Sequence, residues 1–412
     1  MKRREFLATA ATAAAGTSLW LPHWFSTQRG KALPGSVARD YGKLLILVEL
    51  NGGNDGLNTV VPFADPLYYC HRMNIGVRRD QAIQLDERTA LHPSLVPLLP
   101  MWRAKQLAIV QGLTYPQPNL SHFRSMEIWD TASRSAQYLR EGWLTRAFAS
   151  APVPTSFAAD ALVLGSPETG PFANGARTIA LASPAQFARA SRHVMPVMPV
   201  ALNEGNPAPA QIGDADSDIV RAADLLRPQP DQRALKTAFP QGEFGESIKT
   251  AMEALASGDT ARSEPVPGKG VAAIRLTLNG FDTHENQPDR HADLLRRFAA
   301  GMVAMRDALV ELGRWERTMI VTYAEFGRRV YENHDRGTDH GTASAHFVAG
   351  GRVAGGLYGQ APQLARLDGN GNLPMGVDFR QLYATVLGPS WWGLDAQTVL
   401  QGRFESLPIL RA

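Results

Sequence analysis

Residues 43–50 read KLLILVEL, and apolar runs of similar strand length return at 107–113, 271–278, 318–324 and 346–349. A run that is apolar without alternation marks a strand covered on both faces, as in a parallel sheet. Helical periods fall between several of these runs: 92–106, with Leu95, Leu98, Leu99 and Trp102 on one face, a helix starting at Ser121, and further helices at 235–256, 288–312 and 378–387. Strands and helices alternating in this way predict an α/β fold, a doubly wound, mostly parallel sheet with helices on both faces. Periodicity is poor from about 153 to 240, and 257–270 (SGDTARSEPVPGKG) has the composition of a flexible connection. A Pro/Ala-rich insertion or cap is therefore expected around 153–270.

The N-terminus has a different character. Arg3-Arg4-Glu5-Phe6-Leu7 precedes an Ala/Thr-rich apolar run ending near Leu21, the layout of a secretory signal, and the paired arginines resemble a twin-arginine signal. The run is short for a bilayer, so no stable transmembrane span is expected after cleavage. Ser36-Val37-Ala38 offers a small-x-small cleavage site, which divides the chain into a signal, 1–38, and a domain, 39–412. The formal charge of +3 belongs largely to that leader: without it 37 basic residues face 38 acidic ones. A near-neutral chain without Lys/Arg blocks lacks the footprint of a nucleic-acid binder. The single Cys70 excludes an intramolecular disulfide. The expected location is periplasmic or secreted, with the twin-arginine translocase as a partner during export.

Acids and imidazoles gather just beyond the strand-like runs. Asn54-Asp55 follows 43–50 in a Gly-flanked loop, Asp282-Thr283-His284-Glu285 follows 271–278, Glu325 ends 318–324, and Asp339-His340 lies in another Gly-flanked loop. In open α/β sheets the crevice beyond the strand carboxyl ends collects ligands, so these groups are candidates for one metal site. Asp55, Asp282, His284, Glu325, Asp339 and His340 are the expected ligands. Mixed carboxylate and imidazole donors suit one or two divalent ions, zinc, manganese or iron more than magnesium alone. Each cluster has a plainer reading. Asn54-Asp55 is also an Asx turn, Asp282 with Glu285 also a capping box, and His346, inside an apolar run, also a packed histidine. Ser121 heads a helix, as a nucleophile or as a plain N-cap. The adjacent His122 is a ligand, a general acid or a packed imidazole, and Arg328 clamps an anionic substrate or neutralises Glu325.

Taken together, Gly52-Gly53-Asn54-Asp55-Gly56-Leu57-Asn58-Thr59-Val60, Ser121-His122-Phe123, Asp282-Thr283-His284, Glu325-Phe326-Gly327-Arg328 and Gly337-Thr338-Asp339-His340-Gly341 resemble the domain-of-unknown-function 1501 family, over nearly the whole chain. That family comprises secreted relatives of the alkaline phosphatase and sulfatase superfamily, so the resemblance implies an alkaline-phosphatase-like fold. It also implies, in chain order, an acid after the first strand, a nucleophile heading a helix, an Asp…His pair, an Asp-His at a strand end and a late His. Asp55, Ser121, Asp282 with His284, and His340 fit those places. Glu325-Phe326 stands where a relative carries Asp-His, and the Asp282-to-His284 spacing is shorter than the usual Asp-x-x-x-His. No Cys/Ser-x-Pro-x-Arg stretch surrounds Cys70, so a formylglycine mechanism finds no support.

The expected function is an exported metal-dependent hydrolase of phosphate or sulfate esters, with Ser121, His122 and Arg328 as catalytic groups and either Ser121 or a metal-bound hydroxide attacking. The alternative is a non-catalytic exported metal-binding or envelope-assembly protein on the same fold. A serine esterase is the weaker third reading, because no Gly-x-Ser-x-Gly elbow surrounds Ser121.

Overall fold

The computed structural model describes residues 40–183, 225, 234–258 and 270–411. The expected signal at 1–38 and most of the connection at 257–270 lie outside the described residues. Among the described residues the strands are β1 (Leu44–Asn51), β2 (Val60–Val61), β3 (Ile83–Gln84), β4 (Ala90–Leu91), β5 (Leu107–Thr114), β6 (Ala161–Leu164), β7 (Thr178–Leu181), β8 (Ala273–Asn279), β9 (Thr318–Tyr323), β10 (Ser344–Ala349), β11 (Gly356–Gly359) and β12 (Val377–Asp378). Nine of them form one sheet in the order β11-β5-β10-β9-β1-β8-β6-β7, with β12 paired to β5, while β2, β4 and β3 form a small second sheet.

Within the large sheet β10 alone runs against its neighbours, antiparallel to β9 and β5, and every other pairing is parallel. This mixed, mostly parallel sheet positions the site. The loops that follow β1, β5, β8 and β9 all leave the same edge. Because β10 is reversed, the loop that precedes it reaches that edge as well.

Side-chain alternation along β1 shows why its sequence is continuously apolar. Leu44, Ile46, Val48 and Leu50 enter one core with the helices Gln287–Glu311 and Glu243–Gly258 through Leu294, Phe298, Met302, Ile248 and Met252. Leu45 and Leu47 enter a second core with the helices Trp143–Ser150 and Phe379–Leu387 through Trp143, Leu144, Phe379 and Tyr383. Helices thus cover both faces, and each fully buried Leu, Ile, Phe or Met stabilises the fold by roughly 1.5–3 kcal/mol before entropy is counted.

Two helices differ from expectation. The helix expected over 92–106 is a 3-10 helix, Pro93–Leu98, followed by a short α-helix, Leu99–Arg103. Pro97 and Pro100 lack the N–H that a continuous helix requires. The helix expected from 235 starts at Glu243, after Pro240-Gln241-Gly242. Within the segment 153–270, β6 and β7 join the main sheet beside β8, and the helix Glu243–Gly258 packs in the first core. Among the described residues no helix is long and apolar enough to cross a membrane.

Candidate metal centre

Asp282 lies in the loop after β8, and three imidazoles turn a nitrogen towards its carboxylate. His284 Nε2 lies 3.0 Å and His340 Nε2 3.2 Å from Asp282 Oδ1, while His122 Nε2 lies 3.5 Å from Oδ2. The Nε2 atoms of His284 and His340 are 2.9 Å apart. One donor atom from each of His122, Asp282 and His340 falls within 4.8 Å of the others.

The opposite ring nitrogens fix the tautomers. His340 Nδ1 is 2.9 Å from the Leu120 carbonyl, which only accepts, so Nδ1 carries the proton and Nε2 keeps its lone pair. His122 Nδ1 donates to Glu325 Oε1 at 2.8 Å. His284 Nδ1 faces Asp339 Oδ1 at 3.5 Å. Each imidazole therefore has an acceptor behind it and a free nitrogen in front, the arrangement that orients histidine towards a metal. The donor set also fits by distance. Zn–N and Zn–O bonds near 2.05 Å give tetrahedral ligand–ligand edges of about 3.3 Å, against 2.9–3.5 Å between His284 and His340 and from each imidazole to Asp282, while His122, Asp282 and His340 lie within 4.8 Å of one another. Two imidazole lone pairs and a carboxylate oxygen at such spacing need a shared proton or cation.

Electrostatics agree. Burial works to raise the Asp282 carboxyl, but the hydrogen bond and charge of Arg328, with His340 and His284, hold it at about 2. The hydrogen bond that His122 donates to Glu325 raises the His122 pKa, while burial lowers that of His340. Phe326 forms the apolar wall, with its ring centroid 4.9 Å from that of His122 and 4.4 Å from that of His340. Two glycines permit these contacts. Gly52 (φ +114°) and Gly53 (φ +79°) occupy the left-handed region, and a Cβ on them would lie 2.3 Å from Asp282 N and 2.5 Å from the Phe326 ring respectively.

Several expected ligands have other positions. Asp55 caps the short helix Gly56–Thr59, accepting from Leu57 N and Asn58 N, and its Oδ2 takes Arg72 Nη1 and Gln287 Nε2, each at 2.5 Å. Its carboxylate is buried and fully engaged; burial works to raise its pKa, and the Arg72 charge and hydrogen bonds bring it below the usual range. Glu325 stands behind His122: Oε1 accepts from His122 Nδ1 and from Gly52 N, so the ion side of the cluster is the imidazole. Asp339 has the same relation to His284 and is half exposed.

Arg328, expected as a substrate clamp or as a partner of Glu325, donates instead to backbone carbonyls and to Asp282. Its buried guanidinium donates to Gly52 O, Gly53 O, Phe281 O, Thr338 O and Asp282 Oδ1, so it ties three loops together and aims Asp282. Asp282 is not an N-cap either, because Asn286 holds that position for Gln287–Glu311. Ser121 is the N-cap residue of the helix His122–Thr131 but makes no capping hydrogen bond, and it is exposed. His346 is a packed histidine of β10, with burial lowering its pKa to about 3.

Beside His122 opens a cleft of about 770 Å³ whose lining includes Glu49, Asp130, Arg275 and Glu325. Arg275 Nη2 donates to Glu49 Oε2 at 2.5 Å and Nε to Tyr323 Oη at 2.7 Å. Burial pushes the Asp130 carboxyl up to about 8, with Arg275 opposing and Glu49, Glu168 and Glu325 reinforcing. Sequence reasoning missed this group. The available signal was a charge inside each of two otherwise apolar strands, Glu49 in β1 and Arg275 in β8.

The family model described as "Protein of unknown function (DUF1501)" matches residues 259–403. That match covers the C-terminal third of the chain and shows a likeness to the DUF1501 family over those residues. The DUF1501 match holds Asp282, His284, Glu325, Arg328, Asp339 and His340, whereas Asp55, Ser121 and His122 precede it. No curated protein matches the chain. Among solved structures it is similar to the C-terminal periplasmic domain of EcEptC from Escherichia coli in complex with Zn, at 10% identity, with 76% of this chain and 75% of that chain covered and a TM-score of 0.34. It is also similar to the phosphonate monoester hydrolase SpPMH from Silicibacter pomeroyi, at 12% identity, 87% and 75% coverage and a TM-score of 0.34.

Proposed function

We propose that this chain is an exported, metal-dependent hydrolase of a phosphate or sulfate ester, acting in the periplasm or outside the cell after loss of residues 1–38. The observation that carries the reading is the convergence of His122, His284 and His340 on Asp282 at the rim of a ligand-sized cleft. These four residues would hold a divalent ion, zinc by donor type, with manganese or iron as alternatives. Such an ion supplies Lewis acidity and a lowered pKa for water.

The protein's own groups do the rest. Glu325, Leu120 O and Asp339 orient the three imidazoles, Arg328 fixes Asp282, and Phe326 packs against His122 and His340. Ser121 lies between Leu120 and His122, both of which touch the site, with its hydroxyl free of a capping bond at the head of a ten-residue helix. That position suits attack on an anionic ester, with the helix N-terminus favouring the developing charge. The same family resemblance, together with the twin-arginine-like leader, supports the ester class and the export.

A specific feature favours a second reading, a non-catalytic exported metal-binding or envelope-assembly protein. His284 Nε2, 3.0 Å from Asp282 Oδ1, offers a further donor beside His122, Asp282 and His340, and a shell filled by protein ligands is that of a structural zinc site. Mature protein loaded with zinc or manganese, assayed against phosphomonoesters, phosphodiesters and sulfate esters, decides between them. Turnover abolished by Asp282→Ala supports the hydrolase, and silence across the panel with metal bound supports the scaffold. Loss of turnover in Ser121→Ala with metal retained makes Ser121 the nucleophile; an unchanged rate assigns attack to water.

A further inference from the structure

The cleft beside His122 has a charge unlike that of a site built only for an anion. Five carboxylate residues line it, Glu49, Glu127, Asp130, Glu168 and Glu325, against Arg275 and Arg140. Arg275 offers little to a ligand, because its donors go to Tyr323 Oη, Glu168 O and Glu49 Oε2. A second observation points to an occupant. Glu325, with its side chain 1% exposed, has Oε2 buried without a hydrogen-bond partner, and Asp130 Oδ1 is buried and unpartnered as well. Buried acceptors are normally satisfied, so two orphaned carboxyl oxygens on one cleft call for N–H donors, and a cationic donor there would itself hold Asp130 ionised against its burial.

We propose that this cleft binds an organic cation, an ammonium or guanidinium group, with its aliphatic part against the lip formed by Phe123 and Met126. The volume, about 770 Å³, is that of a small-molecule site and far exceeds a lone metal ion. Phe123 is 90% exposed at the mouth, where a ring face adds cation–π attraction and apolar contact. The inference deepens the hydrolase reading and rests on it in one respect: the ester held by the histidines would carry a cationic group on its cleft side, which makes the substrate zwitterionic.

The test separates the two ideas. Full-length mature protein, stripped of metal with a chelator and also zinc-loaded, is titrated with n-butylammonium and with 1-butanol, by calorimetry or by ligand-observed NMR. The expected result is at least tenfold tighter binding of the ammonium in both states. Asp130→Asn should weaken it at least fivefold without changing the melting curve, and Phe123→Ala should weaken both probes. Equal binding of 1-butanol, no binding of n-butylammonium, or displacement of n-butylammonium by Mg²⁺ alone with Asp130 as its ligand overturns the inference. Ammonium binding without ester turnover retains the cleft and rejects the hydrolase, and turnover without ammonium binding does the reverse.

Discussion

Replacing Arg328 with methionine tests whether this residue is a structural tie or a substrate clamp. Methionine keeps much of the volume, so the loss is mainly of donors. The guanidinium, with a side chain 0% exposed, serves four backbone carbonyls and Asp282. Phe281 O keeps a second donor in Thr283 N, but Gly52 O, Gly53 O and Thr338 O lose the guanidinium donor. An unpaired buried polar group costs about 1–3 kcal/mol, and breaking a buried ion pair typically about 3–5 kcal/mol. Asp282 is 46% exposed, so solvent screens its share. Arg328→Met should therefore cost about 3–5 kcal/mol, which lowers a urea midpoint by at least about 1 M at a slope near 3 kcal/mol per molar. Arg328→Lys should recover only a small part, because one ammonium cannot reach carbonyls on three loops.

Acid behaviour gives an independent readout. Arg328 holds the Asp282 carboxyl at about 2, below its ordinary 3.8, so the stability from that pair is present above about pH 4 and disappears as pH falls through 2. The variant should lack that acid limb. Urea unfolding at pH 7 and at pH 3, followed by tryptophan fluorescence, measures both effects. A variant within about 1 kcal/mol of the parent refutes the structural role, and lost turnover at unchanged stability restores the clamp.

Glu325→Gln keeps an acceptor behind His122 but removes its charge, and zinc affinity should fall about 10–100-fold in a chelator competition; an unchanged affinity would show that Glu325 does not support the ligand. Asp55→Ala breaks its buried pair with Arg72 and should cost about 3–5 kcal/mol in denaturant unfolding, while zinc stoichiometry stays the same; lost zinc would return Asp55 to the ligand set. His346 is neutral in the fold down to about pH 3 against an ordinary 6.5, so its contribution to stability is full above 6.5 and declines as pH falls. His346→Gln should flatten the fall in stability below pH 6.5 by about 1.4 kcal/mol per pH unit, and an identical pH slope in both proteins would refute it.

Much of the sheet was legible because continuous apolar runs such as 43–50 and 107–113 can satisfy their side chains only between two covered faces. The same patterning showed which loops leave strand ends, and so brought Asp282, His284 and His340 to attention. It could not tell Asp55 from a ligand, since a Gly-flanked Asp has the same signature whether it binds an ion or a helix N-terminus. The partners that decide it are Arg72 and Gln287, the latter 232 residues away.

The sequence by itself determined the residue types at the strand ends and the layering of helices over a buried sheet, because hydrophobic periodicity is a local property of the chain. Tertiary structure alone decided the direction of β10, since an apolar run has no polarity, and with it the arrival of His340 at the edge where Asp282 stands. It also decided that His122 is a candidate ligand and Glu325 its support. A tautomer and a free lone pair are set by the group facing the other ring nitrogen, and that group lies 203 residues away along the chain.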